Sequence, residues 1–311
     1  MIAFGCAINN ADVFRKYGEP GVRRAGEPDS ELFAFAPVES VGRTYNLVLD
    51  AAARCDDLEA LALVHPQTEI IDPAFCAKVR EALADPRVGI VGATGATGVT
   101  GIAWWEGRVV SAPAVHQYGE HGGGELPALS WTQCEPPPAE VEALDGQLLV
   151  LSPWVVRNLR FDETRLLGHG FDVDFSLQVR ATGRTLMVAD IRLVHHRSLE
   201  LVSDLDVWVE AHIRIAEKWR DMLDGDVADD EDAWKRRARR AEARREAARA
   251  IAFSKALTLD ARVLELERAL AEKTTSPSWR VTAPLRTINR LRHEAAQRRN
   301  GGAGSEHSNG G

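Results

Sequence analysis

Three kinds of feature are scarce in this 311-residue chain, and each scarcity removes a class of protein. Cysteine occurs only as Cys6, Cys55, Cys76 and Cys134, far apart and with no Cys-x-x-Cys pair. That spacing excludes a disulfide framework and a zinc site, suits a reducing compartment, and leaves four small apolar residues for a core. No run of about eighteen apolar residues exists, and the N-terminal IAFGCAI is short and lacks a basic leader. The sequence therefore predicts neither a membrane span nor a secretory signal, and points to the cytoplasm. Aromatic side chains are also few, at 6%.

What is present suffices for one sizeable core with chain left over, since 45% of residues are apolar and 27% charged. The net charge of −8 conceals a split. Residues 1–232 carry 20 Lys and Arg against 38 Asp and Glu, whereas residues 233–299 carry 18 against 7. Such asymmetry predicts two units with different partners.

The stretch DPRVGIVGATGATGVTG, Asp85 to Gly101, has the glycine spacing of a dinucleotide-binding turn. A turn of that kind holds pyrophosphate only when its last glycines open a helix. Here IAWWEGRVVSAPAV follows, with no helical period, and Glu120 lies in the loop-like HQYGEHGGGE where an acid should grip a ribose. A nicotinamide oxidoreductase would need a helix directly after Gly98. The alternative is a buried strand leading into a glycine-rich loop.

Short apolar runs alternate with helical patterns along the first unit. MIAFGCAI, ELFAFAP, LEALALV, VGIVGA, EALDGQLLVLS and TLMVADIRLVHH read as strands, while SVGRTYNLVLDAAARC, PAFCAKVREALADP and FDVDFSLQVRATG read as helices. This alternation predicts an α/β fold with a mainly parallel sheet between helices. Ligands of open sheets bind beyond the carboxyl ends of the strands. The polar residues there are Ser40 after the second strand, His65 in HPQTEIID, Asp145 in LDG, Asp172 and Asp174 in GFDVD, and His195 and His196 in LVHH. Taken singly, the two acids also suit a helix start, and either histidine suits a hydrogen-bonded core. Together, carboxylates and imidazoles on one rim suit group transfer from an anionic donor.

In order, SVGRTYNLVLDAA, LALVHPQTEIIDPAF, DPRVGIVGATGA, VEALDGQLLVLSPWVV, RFDE, GFDVDFSLQVRATG and LVHH resemble the GT-A glycosyltransferases of family 2, and most closely their StrF-type branch. The resemblance covers about residues 1–220. It implies a GT-A fold and transfer of a sugar, with inversion, from a nucleotide-diphosphate donor to a glycan or lipid-linked acceptor of the cell envelope. It implies Asp172 as the base, with Asp174 as a second carboxylate. Glu39, Arg43, Asn46 and His65 would line the nucleotide pocket, and Asp145, Trp104 and Trp105 would meet the acceptor or sugar. His65, Gln67, His195 and His196 would stand near a divalent cation, Mn2+ or Mg2+. Two positions depart from the family. Gln67 occupies the place of the metal-motif aspartate and is a weak ligand for a hard cation. Phe171 precedes Asp172 where an acid is usual. A catalytically silent module that binds nucleotide sugar or scaffolds other transferases is the alternative implied by Gln67.

Beyond residue 220 the pattern changes. Seven acids between Asp221 and Asp232 predict a solvated linker over 221–232. Residues 233–273 contain no glycine or proline and predict one long helix. Ala252, Ala256, Leu259, Val263, Leu266 and Leu270 alternate steps of four and three along it, the seam of a short coiled coil that either forms a homodimer or folds back. Its arginines lack interleaved aromatics and any recognised motif, so no nucleic acid is expected. Residues 274–299 combine Trp279, Leu285, Ile288 and Leu291 with six arginines, a composition for peripheral contact with an anionic membrane at its inner face. They also resemble tails found beside bacterial glycosyltransferase domains. Residues 300–311 are Gly, Ser and Asn rich and predict a disordered tail.

Overall fold

The central strands of the first unit, IAFGCA, ALALV and LLVL, are apolar throughout because both of their faces are covered. A computed structural model describes residues 1–36, 39–129, 132–163, 169–200, 202, 204–223 and 232–282. In β1 (Ile2–Ala7), Ile2 and Phe4 join one core cluster, while Ala3 and Ala7 join the other. β2 (Leu32–Phe35) lies at the sheet edge, and its side chains are half-buried or exposed. In β3 (Ala60–Val64), Ala60, Ala62 and Val64 face the first cluster and Leu61 and Leu63 the second. The period of two is the pleat of a strand dividing its residues between two faces.

β4 (Val88–Gly92), β5 (Ala139–Val141), β6 (Leu148–Leu151) and β7 (Thr185–Val188) complete a seven-stranded sheet of order β5-β7-β4-β6-β3-β1-β2. Pairs β1/β2, β1/β3 and β4/β7 are parallel; β6 runs antiparallel to both β3 and β4, and β5 antiparallel to β7. On one face pack α1 (Glu19–Ala25) and α3 (Phe75–Ala82). On the other pack α2 (Val41–Ala52), α4 (Pro153–Asn158) and α5 (Phe171–Ala181). α2 starts where the Ser40 hydroxyl accepts the Arg43 N–H at 3.1 Å, the usual N-cap bond. The predicted α/β class and mainly parallel sheet are observed.

Two small sheets stand beyond the main one. Thr94–Thr97, Arg108–Ser111, Cys134–Glu135 and Ala143–Leu144 form the first; Thr68–Ile70, Ala114–Tyr118, Gly124–Pro127 and Leu193–His196 form the second. Two sequence expectations change here. The glycine-rich stretch is partly a strand, Thr94–Thr97, and no long helix follows Gly98. TLMVADIRLVHH is two strands in different sheets, and between them the buried Asp72 carboxylate accepts the Arg192 N–H at 3.2 Å.

α6 (Leu205–Lys218) precedes α7 (Asp232–Thr275), a single helix with nearly the predicted bounds. The compact unit extends to Thr258 instead of ending near 220, with Leu259–Gly311 forming a second. Ala243, Ala247 and Ala250 of α7 pack in a third cluster with Trp104, Trp208 and Ile215. Small residues permit this close approach. The predicted seam lies on another face: Ala252, Ala256, Leu259, Val263, Leu266 and Leu270 are all exposed. No helix among the described residues is long and apolar enough to cross a membrane. Residues 224–231 of the acidic linker, 283–299 of the basic segment and the 300–311 tail lie outside the described residues.

Candidate active site

Thr94, just past the carboxyl end of β4, lines a cavity of about 190 Å3 together with Asp145, Gln147, Asp172, His195 and Arg197. Strand β6 supplies its floor because it runs the opposite way: Leu148 pairs with Val64, so the Asp145–Gln147 turn arrives beside the end of β3. The turn is held by three bonds. The Asp145 N–H donates to Thr94 O at 2.9 Å, the His65 N–H to Gln147 O at 3.1 Å, and the Gln147 amide to the Thr94 hydroxyl at 3.0 Å.

The start of α5 closes on this turn. At Gly146 a Cβ would lie 2.6 Å from the tip of the Phe171 ring, so a larger residue would push that ring aside. Gly170, at φ +75°, sits in the left-handed region beside Ile102 and Ile215, and a Cβ would collide with both. The result is that the Gly146 N–H donates to Asp172 Oδ2 at 2.9 Å, and the Val173 N–H to Oδ1 at 2.9 Å. No cation lies within ion-pair distance of this carboxylate among the described residues. Burial, and next the charge of Asp145, push the Asp172 carboxyl up to about 7, against the pull of the backbone donors. Burial also raises Asp145. Asp172 is therefore partly ionised at neutral pH, and a base of that strength is matched to proton transfer there.

Imidazoles and one guanidinium line the same cavity as the carboxylates. His195 is 9% exposed, and its Nε2 has no hydrogen-bond partner among the described residues. His116 donates its Nε2–H to the Arg197 carbonyl at 2.7 Å, since a carbonyl can only accept. Ring centres of His65 and His195 are 5.7 Å apart, and those of His116 and His195 6.4 Å. Burial first, and Arg197 next, lower His65 to about 4 and His195 well below the ordinary imidazole range. Burial likewise lowers His116 and His169, which also line the cavity. These rings are neutral at pH 7. Arg197 reaches the cavity without a hydrogen bond or ion pair to its guanidinium among the described residues. Burial lowers its pKa, and the Asp145 charge partly opposes that.

The cavity thus brings together Asp145, Asp172, Trp104, Trp105 and His195 of the residues expected from sequence, with His65 behind His195. Trp104 and Trp105 meet edge to face at 5.8 Å. The others stand elsewhere. Asp174 is 1% exposed and closed by Lys218 Nζ at 2.7 Å and the Trp219 indole N–H at 2.7 Å, so it is a structural carboxylate. His196 bonds Glu69 at 2.9 Å and stacks on Tyr17 at 3.6 Å. Glu39 and Arg43 pair with each other at 3.1 Å, and Asn46 bonds the Phe161 backbone in both directions, at 2.8 and 3.0 Å. Gln67 presents its backbone N–H to His65 Nδ1 at 3.3 Å and its carbonyl to the His196 N–H at 2.8 Å.

The described residues hold no group of three His, Cys, Asp or Glu side chains placed to bind one ion. With His196 engaged by Glu69 and Gln67 neutral, the expected ligand set does not fit a divalent cation. Sequence reasoning missed Arg197, His116, His169 and Thr94. A signal for Arg197 exists in the period of a strand, which puts it on the face of His195 two residues before.

No family model matches the chain. It is 28% identical over 231 residues to the streptomycin biosynthesis protein StrF of Streptomyces griseus, covering 71% of this chain and 76% of StrF. The chain is a homologue of StrF. Among solved structures, the mannosyltransferase PcManGT from Pyrobaculum calidifontis, in complex with GDP-Man and Mn2+, overlaps 92% of this chain and 86% of its own at a TM-score of 0.46 and 12% identity. GalNAc-T7 with UDP, GalNAc and Mn2+ overlaps 78% of this chain and 54% of its own at 0.47 and 10%. At those scores the likeness carries no weight for the site.

Proposed function

We propose that this protein is a glycosyltransferase of GT-A type that moves a sugar from a nucleotide-diphosphate donor to an acceptor hydroxyl, with inversion. The observation that carries the proposal is Asp172: a carboxylate on the cavity wall, held by two backbone N–H groups, without a cation partner among the described residues, and raised to about 7. The homology with StrF supports it. Asp172 takes the proton of the acceptor hydroxyl as its oxygen bonds the anomeric carbon; the bond to the β-phosphate oxygen breaks, and the nucleoside diphosphate leaves. Asp145 stands where it can accept hydrogen bonds from the sugar or acceptor, and the faces of Trp104 and Trp105 suit stacking on a sugar ring. A glycan or lipid-linked acceptor rests on the tail resemblance of residues 274–299.

The test is release of free nucleotide from UDP-, GDP- and dTDP-sugars, with glycan and lipid-linked acceptors, by wild type and Asp172→Asn. Turnover by the wild type that the substitution abolishes is expected. Binding of a nucleotide sugar without turnover on any acceptor would favour the silent module.

The exposed seam of α7 further supports a homodimer. With Leu259 and Leu266 at d and Val263 and Leu270 at a, the flanking positions place Lys255 opposite Asp260, and Arg262 opposite Glu267, of a parallel second copy. Light scattering should give a concentration-dependent dimer that Leu266→Glu converts to monomer; a wild-type monomer at every concentration would contradict it.

A further inference from the structure

We infer that the donor's diphosphate is bound by the Arg197 guanidinium together with His195 Nε2, so that this protein holds nucleoside diphosphates without a divalent cation. The inference rests on the donor site of the proposed function.

Three observations lead there. First, the cavity offers a hard cation a poor home: no three-ligand group exists among the described residues, and Gln67 is neutral where the resemblance leads one to expect an aspartate. A guanidinium in the same cavity adds repulsion for a dication. Second, the positive charge that a diphosphate needs is already present. Arg197 lines the cavity, and its guanidinium has no bonded partner among the described residues. An unpaired charge withdrawn from water is costly, and a bound anion removes that cost. The planar fork can engage two phosphate oxygens at once, giving charge-assisted bonds. Third, the surroundings are built to present it. His116 fixes the Arg197 backbone through the 2.7 Å bond to its carbonyl, and the residue's N–H donates to Gln117 O at 3.1 Å. His195, two residues earlier and lining the same cavity, leaves Nε2 buried with no partner among the described residues. With its proton on Nε2, that ring donates to a phosphate oxygen and completes the anion site. Asp145 and Asp172 line the same cavity, and their charge repels phosphate and so favours its placement at Arg197.

Calorimetric titration of the full chain with UDP, GDP and dTDP, in EDTA and then in Mn2+, tests this. At least one diphosphate should bind in EDTA with a Kd within about threefold of its value in Mn2+, and inorganic pyrophosphate should compete. Arg197→Gln, checked for folding by its melting curve, should weaken that diphosphate about tenfold or more while leaving the parent nucleoside within about twofold. Arg197→Lys should fall between, because it keeps the charge and loses the fork. Binding that appears only with Mn2+, or that survives Arg197→Gln unchanged, would overturn the inference while leaving the donor site standing. Binding of none of the three diphosphates under either condition would sink the donor site and the inference together.

Discussion

Asp172 and Asp174 lie two residues apart on α5, and His195 and His196 are consecutive on one strand, yet each pair divides between two unlike regions. The first of each pair lines the cavity, where, among the described residues, carboxylates meet only backbone donors and an imidazole nitrogen has no partner. The second enters a closed cluster. Asp174 joins Lys218, Trp219 and Asp162; His196 joins Glu69, Arg24 and Tyr17. Both regions are rich in charge, and their difference is saturation. In the clusters, donors and acceptors are satisfied by one another, which ties elements together. In the cavity they are left for something else to satisfy, and buried polar groups in that condition mark sites of binding and chemistry.

The largest effect should separate the two aspartates. Asp172→Asn should lower nucleotide release by at least about 100-fold with the melting temperature little changed, the loss expected for a general base. Asp174→Asn should do the reverse. It leaves Lys218 beside a neutral amide and should cost about 3 kcal/mol in urea unfolding, with activity per folded molecule nearly kept. Equal catalytic losses for the two would erase the distinction.

The next effect is in pH. The base works ionised, so kcat/KM should fall tenfold per unit below about 7 and level above it. Stability runs the other way. The folded carboxyl keeps a proton that the unfolded one has lost above its ordinary 3.8, so the Asp172 contribution weakens as pH rises from there and flattens above about 7. Asp145, Arg197, His116, His169 and His195 face the same cavity and shape the profile, but only Asp172→Asn should remove this slope. A smaller effect concerns the anchoring of α7. Glu246 Oε2 stands 2.9 Å from His212 Nδ1, both buried, and His212 stacks on the cavity residue Trp208. Glu246→Ala should cost about 2 kcal/mol of stability on urea unfolding. The smallest change should come from His196→Gln, at no more than about 1 kcal/mol and with unaltered kinetics, since its cluster is partly solvated.

Much of this architecture was legible in the chain because the central strands are apolar throughout and several helices carry caps or proline boundaries. The small sheets were not, since Thr94–Thr97 is written in glycine, alanine and threonine, which suit a loop as well. At the site, the resemblance led to Asp172, whereas local geometry could have removed Asp174 and His196. A two-residue step turns about 200° around a helix, and a one-residue step reverses the face of a strand. By the same rule Arg197 belongs with His195. It was missed because an arginine after a strand usually lies in solvent, and its position depends on the second small sheet, where His196 pairs with Gln117 and His195 with Thr68, both far away in sequence.

The central claim is that Asp172 is a carboxylate raised to about 7 by its cavity, and it can be read without knowing any substrate. Carbon-13 NMR of aspartate-labelled protein, with Asp172→Asn identifying the resonance, should show its side-chain carboxyl titrating with a midpoint near 7. A midpoint near the ordinary aspartate value of about 4 would mean that the group is solvated and fully ionised at neutral pH, and the account of it as a tuned base would be wrong.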